Sequence, residues 1–444
     1  MIDAVAGSGG AHLAPTQPSS SRFKVAAAHC DITPTQPLPL AGFGTRTGVW
    51  SSIHSRLEAN AVMLDDGAQR VFLVSADLLY IGAALRNRIL DLLGGRIGEE
   101  ELLLAASHSH YAPATSELLP QLGSVNHDYR EYIARQIATL VDQLLTSPAT
   151  PATLRHARAQ ADHSVNRRRV PFSDHFRPAA ARSAQMAPNF RAPRDETVHV
   201  LRFDDAHDRP LALVWNYACH PVFFPNRDQV SAEFPGVVRN SLRDDYGRGL
   251  PVVYLQGFAG NVRPRAILPA HGVRGWLRNL TNRHYWKHFT LEEWTTWATS
   301  LAAVTTAAAE NARRAAPIAV ALQRSRHSET CAWMLAAGAV AGGRPFSIQH
   351  VRFAEAVHLI AVSAEPMVEY IDVLRQIFPN GAIIAVGCID EVVGYLPTRA
   401  MLSEGGYEVE DFRRAFDIDA RFETAVEARF VERLKSFAQP APTN

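Results

Sequence analysis

Residues 69–110, QRVFLVSADLLYIGAALRNRILDLLGGRIGEEELLLAASHSH, decide the fold class. QRVFLVSAD (69–77) and ELLLAAS (101–107) are apolar runs of strand length, and GAALRNRILDLL (82–93) between them has helical spacing. Strand and helix alternate, which is the pattern of an α/β protein. The second run ends on His108 and His110. In an extended segment residues i and i+2 point the same way, so both imidazoles can aim at one point. Alone, the pair fits a metal site and an incidental strand end equally well.

The alternation continues in both directions. FKVAAAHCDI (23–32) and LEANAVMLDD (57–66) read as strands, followed by a helix at 128–146 and strands at 197–204 and 210–218. A helix is expected from Pro235, a first-turn proline, to Asp245, and then the strand PVVYLQG at 251–257. Residues 289–315 are Ala-rich and open on a T-x-x-E capping pattern. Strands follow near 317–326, 347–354 and 356–363, then a helix at 366–378, a strand at 382–389 and one closing helix at 409–437. Segments 173–196 and 263–288 look irregular and polar, and long irregular loops in compact domains are usually functional. No internal repeat is legible, and no Pro/Gly/Ser linker divides residues 23–440, so they are expected to form one large mixed α/β domain. Residues 1–22, rich in Gly, Ser and Pro, are expected to be a disordered arm.

Composition narrows the function. The chain has 444 residues, 47% of them hydrophobic and 20% charged, with a net charge of +1. That balance suits a globular enzyme and supplies no overall field for nucleic acid or an anionic membrane. Cys30, Cys219, Cys331 and Cys388 are scattered without a CxxC pair, which argues against a zinc knuckle or a disulfide framework. The first 22 residues lack the pattern of a secretory signal, and no apolar run approaches the ~18 residues of a membrane helix. A soluble, cytoplasmic protein acting on a small molecule is the expectation.

Two further strand ends carry possible ligands. His220 closes ALVWNYACHP, and Glu365 follows the apolar VHLIAV, where a carboxylate must be paired, capping a helix or metal-bound. Three such groups at three strand ends describe one rim, where α/β enzymes place their sites. In YLQGFAGNVRP, Gly257 and Gly260 allow close approach of a ligand or simply a tight turn, and Asn261 is placed to orient a substrate. The run NRRR from Asn166 to Arg169 offers cations for an anionic group or a carbonyl, and Tyr395 and Tyr407 lie in a loop-rich segment after a strand.

These pieces, in this order, resemble the catalytic domain of the neutral/alkaline non-lysosomal ceramidase family. The matching stretches are DITPTQPLPLAGFG, VFLVSADLL, AASHSHYAPAT, NRRR, NYACHPV, AEFPGVVRNSL, YLQGFAGNVRP, SAEPMVEY and VGYLPTRAMLSEGGYE. The resemblance implies a zinc amidase with His108, His220, Glu365 and Tyr395 as metal ligands. It makes His110 a proton-handling residue, and Arg167 and Tyr407 the holders of the carbonyl oxygen. Zinc would activate water for attack on an acyl carbon. Three features depart from the family. Arg263 stands where its ceramidases carry Ser in GNxSP, the chain is expected to lack their signal and C-terminal immunoglobulin-like domain, and the irregular segments are polar. A small N-acylated or anionic substrate, contacted by Asn166, Asn261 and Arg263, is therefore expected instead of ceramide. Ester or lactone cleavage, acyl transfer, and an inactive ligand-binding homologue are the alternatives.

Overall fold

The computed structural model describes residues 23–171, 183–269 and 271–438. The arm expected at 1–22 and residues 173–182 of the first irregular segment lie outside the described residues. Three sheets, the first of five strands and the other two of four, follow one plan. In the first, Lys24–Asp31, Glu58–Asp65 and Arg70–Ala76 pair antiparallel in succession; the helix Ala83–Leu93 then crosses over, and Leu102–Ala106 returns parallel to Arg70–Ala76. The second sheet repeats this with Thr153–Gln160, Thr197–Asp204 and Pro210–Tyr217, the helix Glu233–Tyr246 and the parallel strand Val252–Gln256. The third uses Leu322–Thr330, Pro345–Phe353 and Val357–Val362, the helix Tyr370–Ile377 and the strand Ala382–Val386. A second helix packs on each crossover helix: His127–Thr146, Leu291–Arg314 and Val426–Ser436. The protein thus repeats a topology three times, although no repeat is legible in its residues.

The local reasons are ordinary. Returning strands such as LLLAA and AIIAV are covered on both faces and read as continuous apolar runs. The outer strand Leu322–Thr330 (LQRSRHSET) leaves most of its side chains partly or wholly exposed, as suits an edge. Ala83–Leu93 buries Leu85, Ile89 and Leu93 at four-residue spacing and stops at Gly94, whose left-handed φ of 58° lets its N–H reach the Leu90 carbonyl. Leu291–Arg314 opens on the expected capping box between Thr290 and Glu293.

All three sheets contribute to one hydrophobic core, with Leu73 and Leu103 from the first, Val214 and Leu255 from the second, and Leu359 and Val386 from the third. The returning strands also touch through main-chain bonds, Ala106 N–H to Cys388 O and Gly387 N–H to Gln256 O. Their carboxyl ends are thereby brought to one place.

Several expectations change. The closing helix at 409–437 is broken into a π-helical turn, Tyr407–Asp411, a short Phe412–Ala415 and the helix Val426–Ser436, with Asp417 left-handed between them. Gly257 and Gly260 have no positive φ and accommodate protein backbone: an added Cβ would lie 2.7 Å from Ala218 Cα or 2.7 Å from the Glu365 carbonyl oxygen. Gly260→Ala is therefore expected to push the Glu365 backbone aside and cost roughly 1–3 kcal/mol of stability, measurable by urea denaturation. Within 263–288 the chain forms the helix Gly272–Thr281, whose Val273, Trp276, Leu277 and Leu280 are exposed, so this segment is not the uniformly polar wall its composition suggested. The four cysteines are free, and no helix among the described residues is long and apolar enough to cross a membrane.

Candidate functional site

His108 lies two residues beyond Leu102–Ala106 with φ 64°, a left-handed conformation that costs a residue with a Cβ about 1–2 kcal/mol. The turn is held by Ser107 N–H to Ala76 O and Ser109 N–H to Leu78 O. The two histidines therefore converge through a turn and not through the extended alternation expected from the sequence. Their ring centres are 4.9 Å apart and nearly perpendicular, and the His220 ring lies 4.8 Å from that of His108.

Each imidazole is oriented by a backbone carbonyl. His108 Nδ1 is 3.1 Å from Leu79 O, His110 Nδ1 is 2.9 Å from Gly42 O, and His220 Nδ1 is 3.0 Å from Val262 O. Carbonyl oxygens only accept, so Nδ1 carries the hydrogen and the Nε2 lone pairs face inward. One ligand atom from each of the three histidines falls within 4.8 Å of the others. Burial depresses all three imidazole pKa values, that of His220 to about 4, which keeps the rings neutral. His108 and His220 are buried, whereas His110 is only half-buried.

Glu365 closes the centre. Its Oε2 is 3.0 Å from His220 Nε2 and 3.5 Å from His108 Nε2, and the Tyr80 hydroxyl donates to Oε1. Burial pushes this carboxyl up, but His108, His220 and Tyr80 outweigh it and hold it well below the usual range. Yet His220 Nε2 and Glu365 Oε2 form no aligned hydrogen bond, and both are orphaned buried atoms. Lone pairs opposed at this distance repel unless a cation lies between them, and imidazole nitrogens with a carboxylate oxygen are a donor set that suits zinc. Removing the Tyr80 hydroxyl in Tyr80→Phe is expected to weaken metal affinity roughly 10- to 100-fold, read by competition with a chromophoric chelator.

The opposite wall is cationic. Tyr395 pairs with Glu365 in a short parallel bridge, and its hydroxyl accepts from Arg167 Nη2 at 3.0 Å. Arg167 also donates to Gly260 O at 2.7 Å and through Nε to Glu408 Oε1 at 2.7 Å, while Arg168 Nη1 holds the other Glu408 oxygen at 2.7 Å. The Arg167 guanidinium carbon is 5.4 Å and 5.5 Å from the Tyr395 and Tyr407 ring centres. All seven residues expected as ligands, proton carrier or carbonyl holders thus cluster around one centre.

Asn166 and Asn261, expected to contact substrate, make hydrogen bonds to the protein itself. The Asn261 amide donates to both Glu369 oxygens and accepts from the Val368 N–H; Asn166 donates to Pro193 O and accepts from the Arg168 N–H. Both are buried clasps between loops. Sequence reasoning missed Tyr80, which reads as core in LLYI, and Glu408, whose arginine partners lie some 240 positions away.

Residues 23–243 match the family described as "Neutral/alkaline non-lysosomal ceramidase, N-terminal". The chain belongs to the neutral/alkaline non-lysosomal ceramidase family. It is similar to the neutral ceramidases of Drosophila melanogaster and Drosophila pseudoobscura pseudoobscura, at 26% and 25% identity over 283 residues. The aligned region takes in 58% of this chain and 38% of each fly ceramidase, well under half their length. The fold matches the crystal structure of neutral ceramidase from Pseudomonas aeruginosa with a TM-score of 0.74 at 15% identity, over 94% of this chain and 74% of that one. A ceramidase complexed with C2 matches equally, with 75% of its chain covered. The mixed α/β architecture is therefore the neutral ceramidase fold.

Proposed function

We propose that this ceramidase-family chain is a zinc-dependent hydrolase that cleaves the amide bond of a small N-acyl compound other than ceramide. The convergence of His108, His220 and Glu365 on a buried point, with two opposed atoms left unpaired, carries this reading. His108, His220, Glu365 and Tyr395 would hold the metal. Zinc bound there would supply a Lewis acid and a water acidified toward neutral pH.

The chain's own groups do the rest. Arg167, fixed by Glu408, and Tyr407 beside it flank the position where a carbonyl oxygen gains charge. They stabilise it without reorganising, because the Arg167 hydrogen bonds are already made. His110 presents a basic Nε2 on the more open side of the centre, since its Nδ1 is tied to Gly42 O. That nitrogen takes a proton and returns it to the departing amine. Arg263 in place of the serine of ceramidases favours a substrate other than ceramide.

Elemental analysis of the purified protein, paired with hydrolysis assays on a panel of N-acyl amides, tests this. One zinc per chain is expected, with activity lost to a chelator and restored by zinc. A metal-free protein that cleaves amides in the presence of chelator would sink the zinc reading.

A further inference from the structure

Arg263 stands in the strand Val262–Pro264, paired antiparallel with Ser164–Arg169. Its guanidinium carbon lies 4.6 Å from the Phe223 ring centre and 5.2 Å from that of Trp286. Nη1 donates to Met186 Sδ at 3.3 Å, and Nε is buried without a partner. Among the described residues a thioether is thus its one hydrogen-bond acceptor. Arg263 as a whole is half-buried, and the fully buried arginines are treated differently: Arg86 pairs with Asp390, Arg167 and Arg168 with Glu408, Arg202 with Asp204, and Arg239 with Asp77.

Of the charged and phenolic groups that act on Arg263, Arg167, Tyr395 and Tyr407 belong to the candidate site. Burial pushes its pKa down to about 10, which leaves it charged at neutral pH. A half-buried cation with no acid partner among the described residues is available to a negative charge brought by something that binds beside it. Arg167, by contrast, already has its charge balanced by Glu408.

We propose that Arg263 binds a carboxylate of the substrate, so that the chain selects N-acyl compounds bearing a free acid group, such as N-acyl amino acids. The selection rests on the amide-hydrolase reading above. A guanidinium fork matches a planar carboxylate with two parallel hydrogen bonds, and a single uncommitted cation balances a monoanion. A phosphate dianion would leave one charge unmet. The Phe223 and Trp286 faces limit where the guanidinium can lie, so little freedom is lost when the acid arrives.

N-decanoylglycine and its methyl ester, titrated calorimetrically into the wild type, R263M and R263K, provide the test. The wild type is expected to bind the acid roughly 10- to 100-fold more tightly than the ester. R263M, which fills similar apolar space without charge, should bind both alike, and R263K should keep part of the preference. A wild type without preference, or an R263M variant that retains it, overturns the assignment. Hydrolysis is measured separately with the same pair. If the acid binds preferentially but neither compound is cleaved, the amide-hydrolase reading falls and the Arg263 assignment stands. If both are cleaved with equal kcat/KM by the wild type and R263M, the reverse holds.

Discussion

Substituting His108 by alanine is expected to remove both the metal and detectable amide hydrolysis, whereas His110→Ala should keep the metal and lower turnover by roughly 10²–10⁴. His108 Nε2 faces Glu365 from full burial, and water has little room to replace it. His110 lies on the more open side, and its Nε2 is 3.4 Å from His108 Nε2. Because His108 is left-handed, His108→Asn is the better control for folding: asparagine tolerates that backbone but is too short to reach the centre. Elemental analysis alongside kcat distinguishes the two roles. Equal loss of metal from both alanine variants would make His110 a ligand and leave the leaving amine without its proton donor.

The largest effect on stability is expected at Glu408, which is 1% exposed and lies between Arg167 and Arg168. Glu408→Ala leaves the buried Arg167 without an anion and Arg168 with only the half-buried Glu404, a loss of roughly 3–5 kcal/mol. Urea denaturation should show a lower midpoint, and Arg167 should lose its hold on the carbonyl site as well. Burial pushes the Glu408 carboxyl up, but the two arginines outweigh it and leave it below its ordinary value of 4.5. With a depressed folded-state pKa, the stability it contributes is complete above that ordinary value and is lost as pH falls below it. Wild type should therefore lose stability on acidification more steeply than Glu408→Gln. A variant with wild-type stability at neutral pH would contradict this account of the buried pair.

Much of this was legible because strands and ligands leave local marks. The apolar runs at 69–77, 101–107 and 382–389 are buried on both faces and cannot be disguised. His220 and Glu365 stand out because each ends such a run. Thr153–Gln160 (TLRHARAQ) did not, since five of its eight residues are polar and it pairs through its backbone. The threefold plan was invisible because it is carried by strand order and hydrogen-bond direction, which different side chains satisfy equally. The roles of Asn166, Asn261, Gly257 and Gly260 depend on partners distant in the chain, and no local pattern tells an amide that will clasp a loop from one that will greet a substrate.

The threefold arrangement also bears on how the protein comes to life. His108, His220 and Glu365 follow strands of three different sheets and are each more than 100 residues from the next along the chain. On the zinc reading proposed above, no single unit supplies enough ligands to capture an ion, so uptake would wait until the last sheet has docked. Metal capture would then mark complete assembly, because a chain lacking its final third would carry His108 and His220 without Glu365.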